Sequence, residues 1–167
     1  MGTMREEKEF FCLLESIASL LRKKNWMMGT AESCTGGGIG KICTAIPGSS
    51  EWFAGGFITY TNEWKQRQLG VKEETLNAYG AVSEQTVREM LVGLQKNGRV
   101  QAGVAVSGIA GPGGAVPGKP VGTVCIGAVA GDKMDVLRGL FSGNRTEVRE
   151  QTCLKALQML NTLLQKS

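Results

Sequence analysis

The chain contains no histidine in 167 residues. That absence removes the Ser-His and Cys-His pairs by which most hydrolases activate a nucleophile. It also removes the commonest metal ligand. The five cysteines, Cys12, Cys34, Cys43, Cys125 and Cys153, are an odd count with no close pairs. They supply neither a disulfide framework nor a zinc spacing. Aromatic residues make up only 6% of the chain. No apolar run approaches the roughly 20 residues that cross a bilayer, so no membrane partner is expected. The start, Arg5-Glu6-Glu7-Lys8-Glu9, is too acidic for a targeting segment. A reducing, cytoplasmic setting is expected. The net charge of +4 permits anionic ligands. It falls short of the dense basic patch of a nucleic-acid binder.

What is present is glycine: 24 residues, about twice the average usage of ~7%. They cluster in a few loops rather than spreading as low-complexity sequence. At this length, with 42% hydrophobic residues, one domain spanning 1–167 with a substantial core is expected. Apolar spacing predicts a helix over about 5–24 and a buried strand over 26–31. A glycine-rich loop then leads to a helix near 38–45. "GGFITYT" (55–61) reads as a strand, followed by a short helix capped by Thr61 or Asn62. Ser83 starts and Gly98 stops another helix. Strands are expected at 101–108, 123–130 and 134–142, with a long Gly/Pro loop after the first and a turn at Gly131-Asp132 between the last two. A helix starting near Asn144 closes the chain. Helices early, middle and late can cover both faces of one sheet. The fold class is therefore α/β: a three-layer α/β/α sandwich with a mixed sheet of about five strands.

Four polar loops can carry chemistry. "AESCTGGGIG" (31–40) fails both nucleotide templates. A dinucleotide fingerprint needs glycine where Lys41 stands, and a phosphate loop needs glycine at Thr35 and Ser/Thr at Ile42. It is either a turn before a helix or an anion-facing loop. "PGSSE" places Ser49 and Ser50 at a helix start, where a simple N-cap is the plain alternative. In "YTNEWK", Lys65 lies in a first helical turn, where a cation is unfavourable. If buried it should titrate low and could serve as base to a serine; otherwise it is surface lysine. "SGIAGPGG" offers Ser107 and several backbone N–H groups. Arg145 in "GNRTEVR" could clamp a phosphate or be solvated, and Arg138 and Arg149 are weaker candidates of the same kind.

Taken in order, "AESCTGG", "PGSSEWFAGGFITYTNEWK", "GAVSEQTV", "SGIAGPGG", "KPVGTV" and "FSGNRTEVR" resemble the C-terminal domain of the competence/damage-inducible CinA proteins. The likeness is to the stand-alone form, a nicotinamide mononucleotide deamidase, and covers about residues 8–164. It implies a three-layer α/β/α fold, a homodimer, and hydrolysis of nicotinamide mononucleotide to nicotinic acid mononucleotide and ammonia without metal or cofactor. It also implies Ser50 as nucleophile, with Ser49 as the alternative, and Tyr60 and Lys65 as the activating pair. Ser33, Cys34, Thr35, Gly36, Ser107, Gly108, Gly111 and Arg145 map onto substrate-contacting positions. Two rival readings remain open: a non-catalytic pyridine-nucleotide or competence-related binding module, and an amidase acting on another small amide.

Overall fold

The computed structural model describes residues 3–167. In chain order it comprises α1 (Met4–Lys24), β1 (Met28–Glu32), α2 (Gly38–Cys43), a 3₁₀ turn (Ser49–Glu51), β2 (Phe53–Ile58), α3 (Asn62–Leu69), α4 (Glu73–Tyr79), α5 (Glu84–Gly98), β3 (Ala102–Gly108), β4 (Thr123–Ala130), β5 (Lys133–Leu140) and α6 (Arg145–Lys166). The five strands form one sheet in the order β2-β1-β3-β4-β5. β1 runs parallel to both β2 and β3, while β3, β4 and β5 pair antiparallel. The mixed three-layer sandwich expected from the sequence is the observed fold.

Local chemistry accounts for the boundaries. Thr3 and Glu6 close a capping box at the start of α1, and Arg22, Lys23 and Lys24 occupy its last turn, where cations are favourable. Thr61 accepts from the Trp64 N–H to start α3, Ser83 accepts from Thr86 to start α5, and Asn144 with Glu147 boxes α6. One helix was not expected. α4 has no side-chain cap at Lys72 and buries only Leu76, so it carries little periodic signal.

The sheet separates two cores. Met28, Val104, Val106, Ile126 and Ala128 face α1 and α6 on one side, joined by Ile17, Leu21, Leu157 and Leu160. Ala31, Ala105, Cys125 and Val129 face α5 on the other, with Leu69, Val87, Met90, Leu91 and Leu94. β1 is buried at every position and sits second from one edge. Alternation along it sends Glu32 toward the α2 and α6 side and Ser33 toward the α3 and α5 side. All five cysteines are free, as expected; four are buried and Cys12 is exposed on α1. No helix is long and apolar enough to cross a membrane among the described residues.

Candidate active site

The carboxyl ends of the three parallel strands converge on one crevice, the usual ligand position in an open α/β sheet. The ladder continues one residue past β1: the Ser33 N–H donates to the Val106 carbonyl at 3.1 Å, and the Thr59 N–H donates to the Glu32 carbonyl at 2.8 Å. Thr59, Ser33 and Ser107 therefore stand side by side on the ends of β2, β1 and β3. The chain then leaves β1 through a tight turn, closed by the Gly36 N–H on the Ser33 carbonyl at 3.0 Å. Gly36 and Gly37, with φ of +60° and +96°, adopt backbone that other residues take up at a cost.

Lys65 enters this row from the first turn of α3. Its side chain is only 1% exposed. The Nζ donates to Ser33 Oγ at 2.9 Å, to the Thr59 carbonyl at 2.8 Å and to the Tyr60 carbonyl at 3.4 Å. No carboxylate pairs with it: the ion pairs among the described residues are Arg22–Glu51 and Arg67–Glu63. Burial without a counter-charge disfavours the ammonium. Lys65 is accordingly lowered from the usual 10.5 to about 8. A serine hydroxyl in direct contact with a lysine that gives up its proton near neutral pH is a nucleophile–base pair in a chain without histidine.

A cavity of about 240 Å³ opens over this pair, lined by Ser33, Cys34, Lys65, Ser107, residues 108–111, 113 and 114 of the long loop, Tyr60, Arg145, Ala81 and Val82. The loop is held in shape by the Ile109 N–H on the Thr123 carbonyl and the Gly122 N–H on the Ile109 carbonyl. Among the described residues the N–H groups of Cys34 and Ala110 donate to no main-chain carbonyl, although both residues are about nine-tenths buried or more. Unpaired buried donors are costly, and here they border a cavity that a ligand can fill.

The structure places the sequence candidates unevenly. Ser33, Cys34, Ser107, Gly108, Gly111, Tyr60, Lys65 and Arg145 share the cavity. Thr35 and Gly36 belong to the same turn but not to the cavity wall. The Tyr60 hydroxyl accepts from Arg145 Nη2 at 3.1 Å and makes no bond to Lys65; it is the Tyr60 main-chain carbonyl that meets the amine. Arg145 also donates to the Gly111 carbonyl at 2.8 Å, bracing the long loop.

Ser50 is not brought to Lys65, which corrects the expected Ser50–Tyr60–Lys65 cluster. Ser49 and Ser50 form the 3₁₀ turn that precedes β2, and Ser50 is exposed. Its neighbour Glu51 pairs with Arg22 at the end of α1. Six strand residues then carry the chain to the other end of β2, about 20 Å away at roughly 3.3 Å per residue. The signal that favours Ser33 was present in the sequence: Ser33 follows a strand, whereas Ser49 and Ser50 precede one. Glu32, buried beside Ser33, was missed because an acidic residue ending a strand carries no signature of its own.

The model of the CinA C-terminal domain family matches residues 12–164. The chain belongs to that family. The nicotinamide-nucleotide amidohydrolase PncC of Escherichia coli K12 is 46% identical over 155 residues, covering 92% of this chain and 94% of its own length. A CinA-like protein of Thermotoga neapolitana is 44% identical over 98% of this chain, which spans 39% of that longer protein. Among solved structures, the competence or damage-inducible protein of Enterobacter asburiae superposes with a TM-score of 0.88 at 36% identity, covering 91% of this chain and 96% of that one. The family therefore occurs both as a short protein of this size and as part of larger chains.

Proposed function

We propose that this member of the CinA C-terminal domain family hydrolyses nicotinamide mononucleotide to nicotinic acid mononucleotide and ammonia, with Ser33 as nucleophile and Lys65 as its base. The observation that carries the mechanism is the 2.9 Å contact between Ser33 Oγ and the buried, low-titrating Lys65 amine. The substrate is supported by the name of the Escherichia coli relative, alike over nearly its whole length.

In this reading neutral Lys65 takes the Ser33 proton as Oγ attacks the carboxamide carbon. The carbonyl oxygen becomes an oxyanion, met by the unpaired N–H groups of Cys34 and Ala110. Each such donor is worth about 3 kcal/mol in comparable sites. Lys65 then returns the proton to the amide nitrogen, the C–N bond breaks, and ammonia leaves an ester on Ser33. A water molecule gives a proton to Lys65 and its oxygen to the ester carbon. Ser33 is regenerated and the acid is released. The Thr59 and Tyr60 carbonyls orient the amine toward Ser33. They accept hydrogen bonds from either protonation state, so Lys65 can cycle without moving.

The cavity of about 240 Å³ lies just below the ~300 Å³ at which ligand pockets usually begin. Arg145 retains donors beyond those it gives to Gly111 and Tyr60. It stands at the cavity side and is the group assigned to the 5′-phosphate. A purely binding module has no need to bury an amine without a counter-charge, so the catalytic reading is preferred to the non-catalytic one. The reading also takes the chain as a cytoplasmic homodimer, which the mass in solution checks. The primary test is ammonia release from nicotinamide mononucleotide by the purified protein, expected to be insensitive to a chelator and abolished in Ser33→Ala. Release from another small amide with none from the mononucleotide would move the assignment to that amide.

A further inference from the structure

The turn that presents Ser33 is anchored from two sides by charged groups that do not line the cavity. Below it lies Glu32, 1% exposed. One carboxylate oxygen accepts from Thr35 Oγ1 at 2.7 Å and the Ile39 N–H at 2.9 Å. The other accepts from Thr30 Oγ1 at 2.9 Å and the Gly40 N–H at 3.0 Å. α2 begins after Gly37, which has no side chain to cap it. Glu32 supplies that cap from the neighbouring strand and ties Thr35 to the same point. On the outer side is Arg149 of α6, half-buried. Its Nε donates to the Cys34 carbonyl at 3.0 Å and its Nη2 to the Thr35 carbonyl at 3.1 Å.

The Ser33 carbonyl is meanwhile held by the Gly36 N–H. All three carbonyls of the turn, from Ser33, Cys34 and Thr35, are thus engaged away from the cavity, and the Cys34 N–H is the free donor left on its wall. Flipping either peptide that follows Cys34 or Thr35 would break a bond to Arg149, because each peptide turns as a rigid plane.

We propose that Glu32 and Arg149 are positioning residues for the hydrolysis: together they hold the 33–36 turn so that Ser33 Oγ stays on Lys65 and the Cys34 N–H stays on the developing oxyanion. The assignment rests on the Ser33–Lys65 reading. A misplacement of the order of 1 Å costs about 10²-fold in rate, so loosening the turn should lower kcat by that order while KM changes little.

The experiment compares Glu32→Gln, Arg149→Ala and Arg149→Lys with the wild type and with Ser33→Ala. Glutamine keeps the shape of Glu32 but puts an NH₂ where only donors face it, so kcat should fall by about 10²-fold. Arg149→Ala should fall likewise and regain part of its rate when guanidinium ion is added. Arg149→Lys should not match the wild type, since one ammonium cannot fork to two carbonyls as the planar group does. If Glu32→Gln does not fold, the Arg149 pair decides alone. Phosphorylation of Ser33 by diisopropyl fluorophosphate, with fluoride leaving, gives a second readout, which is independent of the amide used and should slow in parallel. Arg149→Ala with wild-type kcat and labelling rate, or with its loss wholly in KM, would overturn the proposal. If Ser33→Ala keeps turnover, the nucleophile assignment fails instead; if it is dead while Arg149→Ala is normal, only the positioning role fails.

Discussion

Two serine-bearing turns at opposite ends of neighbouring parallel strands look alike in sequence and differ in everything that governs reactivity. Both are short and polar, and both contain glycine. Ser49 and Ser50 precede β2, with Ser50 open to solvent beside the Arg22–Glu51 ion pair. Ser33 follows β1, is 7% exposed, and touches a buried amine. Solvent screens what little charge stands near Ser50. Ser33 and Lys65 are withdrawn from bulk solvent, and that burial lowers Lys65 toward neutrality. Proximity to a base and desolvation of that base distinguish the two, and neither belongs to the serine itself.

The comparison can be broken most severely by exchanging which serine is removed. Ser33→Ala should lower kcat/KM by about 10⁴-fold or more, as loss of a serine nucleophile does elsewhere. Ser50→Ala should stay near the wild type. Equal losses would erase the contrast. Lys65→Arg comes next. Arginine does not give up its proton in proteins, so turnover should fall on the order of 10³-fold although the charge is kept and mononucleotide binding survives. A turnover close to wild type would make Lys65 an electrostatic support rather than a base.

The pH profile sharpens the same contrast. The base must be neutral, so kcat/KM should rise about tenfold per unit below about pH 8 and level off above it. Stability carries a linked sign. Between about 8 and 10.5 the unfolded lysine holds a proton that the folded one does not, so unfolding takes up protons there and the fold gains stability as pH rises. Relative to Lys65→Met, the wild type should gain about 3 kcal/mol in total across that window; below pH 8 the difference should be flat. Denaturant midpoints of the two proteins over pH 7–11 give the answer. The smallest effect is expected at Arg145→Ala: a KM for nicotinamide mononucleotide raised about tenfold, the worth of one charge-assisted contact, with kcat less affected. An unchanged KM would free Arg145 from the phosphate and leave it as the brace of Gly111 and Tyr60.

Much of the fold was legible because its signals are local. The caps at Thr61, Ser83 and Asn144, the basic end of α1 and the turn at Gly131 each announce an element boundary by their own chemistry. α4 was silent because it is short, uncapped by a side chain and buries one residue. At the site, Lys65, Ser107, Gly111 and Arg145 could be named from the loops that carry them. The pairing could not, because residues 33 and 65 lie 32 positions apart and meet only through strand register. The expectation for Ser50 followed a motif; the rule that ligands sit at the carboxyl ends of parallel strands pointed to Ser33 instead. Glu32 and Arg149 act through hydrogen bonds to main chain, which leave no pattern in side-chain spacing.

The most direct test of the central claim is the identity of the modified serine. The protein would be reacted with diisopropyl fluorophosphate, digested, and the adduct located by peptide mass spectrometry. The account predicts one adduct, on the peptide carrying Ser33, lost in Ser33→Ala and suppressed by saturating nicotinamide mononucleotide. An adduct on Ser50 that the mononucleotide suppresses, with Ser33 unmodified, would contradict it.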